Sequence, residues 1–235
     1  MSKHIKRMNS PRSWNITRKT TYWATKPRAG PHGLLNSIPL LTVIRDLLGL
    51  VDTASEARKI IGSREILVDG VIVTDPKRGL GLMDVLSIPK IKGDYRAMLD
   101  QKGRLTFVPI GKEKAAWKFV RINGKTSLRG GKTQLNMHDG RNILLPKDMY
   151  KVGDVLKIEL PTQKLLARYE FKVGNKAFMT GGRHVGIVAT IKDIEVVRRP
   201  SSNVITFEEE FSTTSEHVFV VGTNVTDLDL PGVTL

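Results

Sequence analysis

The stretch Thr53–Thr74, TASEARKIIGSREILVDGVIVT, decides how the rest of the chain is read. Thr53 with Glu56 three residues on is a capping box, in which hydroxyl and carboxylate each satisfy a free backbone N–H at a helix start. Ala57, Ile60 and Ile61 then share one face and leave Arg58 and Lys59 for another, so a short amphipathic helix is expected over Thr53–Ile61. After a basic turn, Gly62-Ser63-Arg64, two apolar runs, Ile66-Leu67-Val68 and Val71-Ile72-Val73, flank Asp69-Gly70. Asp-Gly in that setting specifies a tight hairpin, because both turn residues must accept positive φ. The unit offers a rigid basic edge over a small core, a merely solvated basic face being the plainer alternative.

Outward from this stretch, 235 residues with 40% hydrophobic content can bury more than one small core, arranged as several small modules. The formal charge of +15, from 38 Lys and Arg against 23 Asp and Glu, points to a polyanion, and nucleic acid is the default partner. No apolar run approaches the ~18 residues of a spanning helix, no basic amphipathic helix carries an aromatic face, and the polar, basic N-terminus has no signal-peptide pattern. A membrane partner is therefore not expected. With no Cys there is neither a disulfide framework nor a thiolate zinc site, which fits a cytoplasmic protein. The charge is also uneven. Eight Lys and Arg fall in the first 33 residues and the first acid is Asp46, whereas after Arg199 no cation follows and Glu208, Glu209, Glu210, Glu216, Asp227 and Asp229 accumulate.

Residues 1–38 show no helix or strand period and mix cations with Trp14, Tyr22 and Trp23, Pro and Gly. Such an arm orders on RNA by stacking its aromatics on unpaired bases, or packs them onto its own domain. A helix over Leu40–Leu48 precedes the quoted stretch, and Leu80, Leu82, Met83, Val85 and Leu86 are expected to pack back on the same core. Asp75-Pro76-Lys77-Arg78-Gly79 reads as a turn with a basic tip, and Pro89–Gly93 as a boundary. From Leu105 the pattern changes to short strands, with Asn123-Gly124 and Asp139-Gly140 as further hairpin signals and Lys125, Arg129, Lys132 and Arg141 in or near loops. Gly130-Gly131 reads as a flexible hairpin tip rather than a phosphate loop, since the Walker spacing is lacking. Near the end, Thr180-Gly181-Gly182-Arg183-His184-Val185-Gly186 runs directly into the apolar strand Ile187–Ile191, as a tight loop entering a small barrel would.

The run Ala57-Arg58-Lys59-Ile60-Ile61, its spacing to Ile66-Leu67-Val68-Asp69-Gly70 and the preceding helix resemble the alphaL RNA-binding motif, two helices and a hairpin that present cations to structured RNA. Two departures stand out: Thr53-Ala54 occupies the place of a usual Ser-Arg pair, and Arg64 that of a usual Gly. The resemblance then implies that Arg64 or Lys59 takes over a phosphate contact. The segment around Gly186 is similar to a KOW module, whose required glycine it would be. An aromatic basic arm with Gly30-Pro31-His32, an alphaL-type module, a central β region and a KOW-type module in that order resemble the archaeal and eukaryotic small-subunit ribosomal protein family of the four-e type, over almost the whole chain. The absence of a long further segment after the barrel suits the archaeal form.

The resulting expectation is an α+β multi-module protein. A basic aromatic arm (1–38) leads into a small helix-helix-hairpin RNA-binding domain (39–92), a β-rich central domain (93–171) and a small KOW-type β-barrel with an acidic C-terminal segment (172–235). The resemblance implies a structural constituent of the small ribosomal subunit, located in the cytoplasmic ribosome, whose partners are small-subunit ribosomal RNA and neighbouring ribosomal proteins. The expected RNA-binding residues are Lys6, Arg7, Arg12, Trp14, Arg18, Lys19, Trp23, Arg28, His32, Arg45, Arg58, Lys59, Arg64, Lys77, Arg78, Lys125, Arg129, Lys132, Arg183 and His184. No catalysis, cofactor, metal or small-molecule substrate is expected. The five His are dispersed with no pair at i, i+4, and Glu208-Glu209-Glu210 reads as a solvated surface. The chief rivals are an RNA-modifying enzyme with an alphaL-type targeting arm and a transiently bound transcription or translation factor. Pseudouridine synthases need an Asp after Gly-Arg-Leu, and here Gly103-Arg104-Leu105 is followed by Thr106, whose hydroxyl cannot replace a carboxylate.

Overall fold

The structure, a computed structural model, describes residues 4–146, 148–198 and 202–222. The helix of the quoted stretch runs Ala54–Gly62, and its capping box is formed: Glu56 N–H donates to Thr53 Oγ1 and Thr53 N–H to Glu56 Oε2, each at 3.2 Å. Ala57 and Ile61 are buried. The preceding helix starts as one α turn, Leu40–Thr42, and widens into a π turn, Val43–Leu47. The hairpin pairs Leu67–Val68 with Val71–Ile72 through Asp69 (φ 52°) and Gly70 (φ 76°), the positive-φ pair an Asp-Gly turn requires.

This hairpin is one edge of a five-stranded antiparallel sheet in the order Val71–Ile72, Leu67–Val68, Val85–Ile88, Gly93–Leu99, Leu105–Ile110. The boundary placed at 92/93 thus falls between two hydrogen-bonded neighbours of one sheet. Pro89 opens a single 3-10 turn there, and Lys92 (φ 53°) reverses the chain. Leu80 and Leu86 pack with Ile38, Leu40, Ile44, Ala57 and Ile61 as expected. Leu82 and Met83 do not. A left-handed Met83 (φ 69°) turns both residues into the core of the C-terminal sheet.

The central sheet has the order Asn142–Leu145, Thr133–Met137, Trp117–Ser127, Val155–Glu159, Leu165–Tyr169. Asp139-Gly140 makes the expected turn between Thr133–Met137 and Asn142–Leu145, but Asn123-Gly124 makes none. It sits inside the 11-residue strand Trp117–Ser127 as a bulge between Ile122 and Gly124. There the strand changes partner: Trp117–Arg121 pairs with Val155–Glu159, and the rest with Thr133–Met137. An extra residue and a glycine let one strand bend between two partners, so the same dipeptide that closes a hairpin elsewhere serves as a joint.

The C-terminal sheet is ordered Ser212–Thr214, Val204–Phe207, Val188–Glu195, Lys176–Met179, Val218–Gly222. Its two outer strands are not paired to each other among the described residues, which form a half-barrel sheet where a small barrel was expected. Its apolar face, including Phe178, Ile191, Phe207 and Phe219, packs against Trp117, Phe119 and Met98 from the other two five-stranded sheets. Gly186 (φ 81°) explains itself here: a Cβ would lie 2.7 Å from the backbone of Asp100 and Gln101. Of the final acidic segment, Asp227 and Asp229 lie outside the described residues.

Candidate nucleic-acid interface

Positive charge is presented at the quoted stretch. Arg58 and Lys59 project from the helix and Arg64 from the turn after it, all exposed, and none makes an ion pair with a described residue. Arg64 holds φ +63°, a left-handed conformation that a side chain with a Cβ disfavours. Glycine adopts that conformation without this strain. Lys77, on the neighbouring turn, is exposed, as are Arg12, Lys19, Arg129, Lys132 and Arg183. A groove of about 400 Å³ between the arm and the hairpin has Arg28, Arg78 and Arg141 on its walls. Arg78 is half-buried with its Nε unpartnered, whereas Arg28 meets Asp75 at 3.4 Å.

Several expected contact residues hold the protein together instead. Trp14 is only 2% exposed and donates from Nε1 to the Ser37 carbonyl at 2.6 Å, so no base can stack on it. Arg7 is buried, donating to the Thr17 carbonyl at 2.6 Å and to Asp46 at 3.2 Å; Asp46 also takes Arg45 at 2.8 Å. Arg18 donates to the carbonyls of Met8, Ser10 and Pro11. Lys125 is paired with Asp148 at 2.6 Å. His184 is half-buried and stacks on Phe211, ring centres 4.2 Å apart. By contrast Lys6 and Trp23 are exposed and directly opposite each other on the small ribbon Ile5–Lys6/Trp23–Ala24.

His32 belongs to a buried ionic cluster beneath this surface that sequence reasoning missed. The Lys118 ammonium, 1% exposed, lies 2.7 Å from Asp69, 3.0 Å from Asp84 and 2.6 Å from Asp139. Arg141 adds a second cation at 2.6 Å from Asp69, and His32 meets the far oxygen of Asp84 at 2.9 Å. Burial alone would lower the Lys118 ammonium, but the three carboxylates hold it above its ordinary value. Burial would likewise raise Asp84, yet Lys118 and His32 keep it far below the usual carboxylate range. Asp69 goes up, through burial and then repulsion from Asp84. His138, at the cluster's edge, is pushed down to about 4, chiefly by burial. Its Nδ1 accepts from the Arg121 N–H at 3.1 Å and its Nε2 meets the Leu82 carbonyl at 3.3 Å, a pattern only the neutral ring satisfies. One signal was available: Lys118 sits between Trp117 and Phe119 in a strand buried on both faces, where an ammonium must be paired.

The cluster draws Asp69 and Asp84 from the hairpin module, Lys118, Asp139 and Arg141 from the central sheet and His32 from the arm. The cationic edge is thereby fixed to the rest of the molecule. Among the described residues no helix is long and apolar enough to cross a membrane.

Three family models match in the same order: the RS4NT domain over residues 1–35, the S4 domain over 38–86 and ribosomal family S4e over 91–165. The small ribosomal subunit protein eS4 of Methanothermobacter thermautotrophicus is 44% identical over 98% of this chain and 96% of its own. That of Archaeoglobus fulgidus is 42% identical over 99% and 97%. A crystal structure of the 30S ribosomal protein S4e from Thermoplasma acidophilum superposes with a TM-score of 0.73 at 35% identity, covering 80% of this chain and 96% of that one. Relatives that match from the arm through to the last sheet leave no segment to a different ancestry, and the chain belongs to the family of small ribosomal subunit protein eS4.

Proposed function

We propose that the chain binds small-subunit ribosomal RNA through the cationic edge formed by Arg58, Lys59 and Arg64, extended by Lys77 and the Arg28–Arg78 groove. It acts as a structural constituent of the small subunit in the cytoplasmic ribosome, not as an enzyme. The observation that carries the reading is that Arg58, Lys59, Arg64 and Lys77 are exposed and lack ion partners among the described residues, while neighbouring arginines are consumed internally. Cations held in fixed positions on a helix and the turn after it suit phosphates. A duplex hides its base edges in a deep groove, so shape and backbone contacts dominate over base identity. Arg183, with Arg129 and Lys132, supplies further phosphate contacts from the other two sheets. We read the half-barrel C-terminal sheet and its Gly181–Gly186 loop as this chain's counterpart of a KOW module. Residues 1–38, 39–92, 93–171 and 172–235 then act as arm, RNA-binding domain, central domain and C-terminal domain, with neighbouring ribosomal proteins on the surfaces that RNA leaves free.

The test is titration of ribosomal RNA at several salt concentrations with Arg58→Ala/Arg64→Ala. The double variant should bind more weakly at low salt, with a log–log salt slope shallower by about 1.4–1.8, two phosphate contacts' worth. An unchanged slope and affinity would remove these two residues from the interface.

A further inference from the structure

We infer that Tyr22 and Trp23, with His4 and Lys6, form a stacking platform for unpaired nucleotides of the RNA. This rests on the reading of ribosomal RNA as ligand and adds to it a separate site of different chemistry. Tyr22 and Trp23 are 62% and 51% exposed, whereas Trp14 and Trp117 are 2% and 9% exposed. Their rings meet edge to face, centres 4.7 Å apart at 85°, and His4 packs against Trp23 in the same manner at 4.8 Å. Lys6 Nζ stands 5.3 Å from the Tyr22 ring centre. The rings are mounted rather than loose. Lys6 pairs with Trp23 across the ribbon, the Arg7 N–H donates to the Tyr22 carbonyl at 3.0 Å, and the Arg7 guanidinium ties the ribbon to Asp46.

Two exposed aromatic faces beside an ammonium match what an unstacked nucleotide offers, a π-face and a phosphate. A paired base has both faces covered by its neighbours and cannot use the site. Charge selects the occupant. No acid precedes Asp46, and Arg12 and Lys19 are exposed on the same arm, so the surroundings favour a polyanion over a basic protein segment.

The experiment is acrylamide quenching of tryptophan emission in the full-length protein, free and bound to in-vitro-transcribed small-subunit ribosomal RNA, alongside binding titrations at several salt concentrations. With the other two tryptophans buried, the accessible emission comes from Trp23. It should become shielded on the RNA and be competed by an oligouridylate strand but not by an RNA duplex. Trp23→Leu should weaken binding about fivefold or more while leaving the salt slope unchanged, because a stack and not a phosphate contact is lost. Trp23→Phe should restore most of the affinity. Tight RNA binding with Trp23 still open to acrylamide, or unchanged affinity in Tyr22→Leu/Trp23→Leu, would overturn the platform and leave the RNA reading standing. Shielding in assembled subunits but not on naked RNA would assign the site to a protein neighbour and also overturn it. Failure of the wild-type protein to bind the RNA would overturn both readings.

Discussion

Arg64 is an arginine doing a glycine's conformational work. A left-handed non-glycine residue stores of order 1 kcal/mol, and such positions persist where the side chain is needed. Arg64→Gly should therefore raise the urea-unfolding stability by about 1 kcal/mol while weakening RNA binding at low salt. A variant both more stable and equally tight would show that the strain serves nothing. His138 behaves in the opposite sense. Its folded-state value of about 4 lies below the ordinary imidazole value, so as pH falls the unfolded chain takes up the proton first. Stability is complete above about pH 6.5 and is lost between about pH 6.5 and 4, by about 3 kcal/mol at most. His138→Gln should flatten that part of a stability–pH profile. Below it Asp84 adds to the loss, since a carboxyl held low when folded is stabilising only while ionised. Arg64 was visible in the sequence as a departure from a pattern. His138 was visible only as one of five scattered histidines, because the burial that defines it comes from other sheets.

Among the elements, the helix and hairpin were legible because they are locally specified: a capping box, a one-sided apolar face and an Asp-Gly turn each act within four residues of themselves. The arm was illegible for an equally physical reason. Its backbone carbonyls are satisfied by the guanidiniums of Arg7 and Arg18 more than by a ladder, and such bonds leave no period in a sequence. Counting those arginines as free for RNA misassigned them. Trp14 was misassigned with them, because a tryptophan among cations looks alike whether it awaits a base or fills a core. The arm is consequently part of the fold. Trp14→Ala should cost about 3–5 kcal/mol, read as a lowered urea midpoint in the protein without RNA. Little or no change would mean that the arm docks only on RNA. The Asn123-Gly124 bulge has the same origin as these errors: the dipeptide fixes a local bend, while the partner strands decide whether the bend becomes a turn.

Across the whole molecule, the sheets are joined by the apolar face they share and by the cluster around Lys118. Lys118→Met keeps the stem's volume and removes the charge, leaving three buried carboxylates without the ammonium they share and Arg141 paired only with Asp69 and Asp139. The expected loss is about 3–5 kcal/mol at pH 7, and the gap from the wild type should narrow toward pH 5 as those carboxyls take up protons. The order of modules was readable because each has its own composition. Their fusion was not, since it depends on single residues far apart: Asp69 and Lys118 are 49 positions distant and carry no signal of one another. That separation sets a timetable for synthesis. Asp69 and Asp84 leave the ribosome well before Lys118, and Asp139 and Arg141 follow later still. At ~5–20 residues per second, the helix-hairpin module waits some seconds for the ammonium that lets its two carboxylates be buried. Until then Asp69 and Asp84 lack the ammonium they meet in the folded protein.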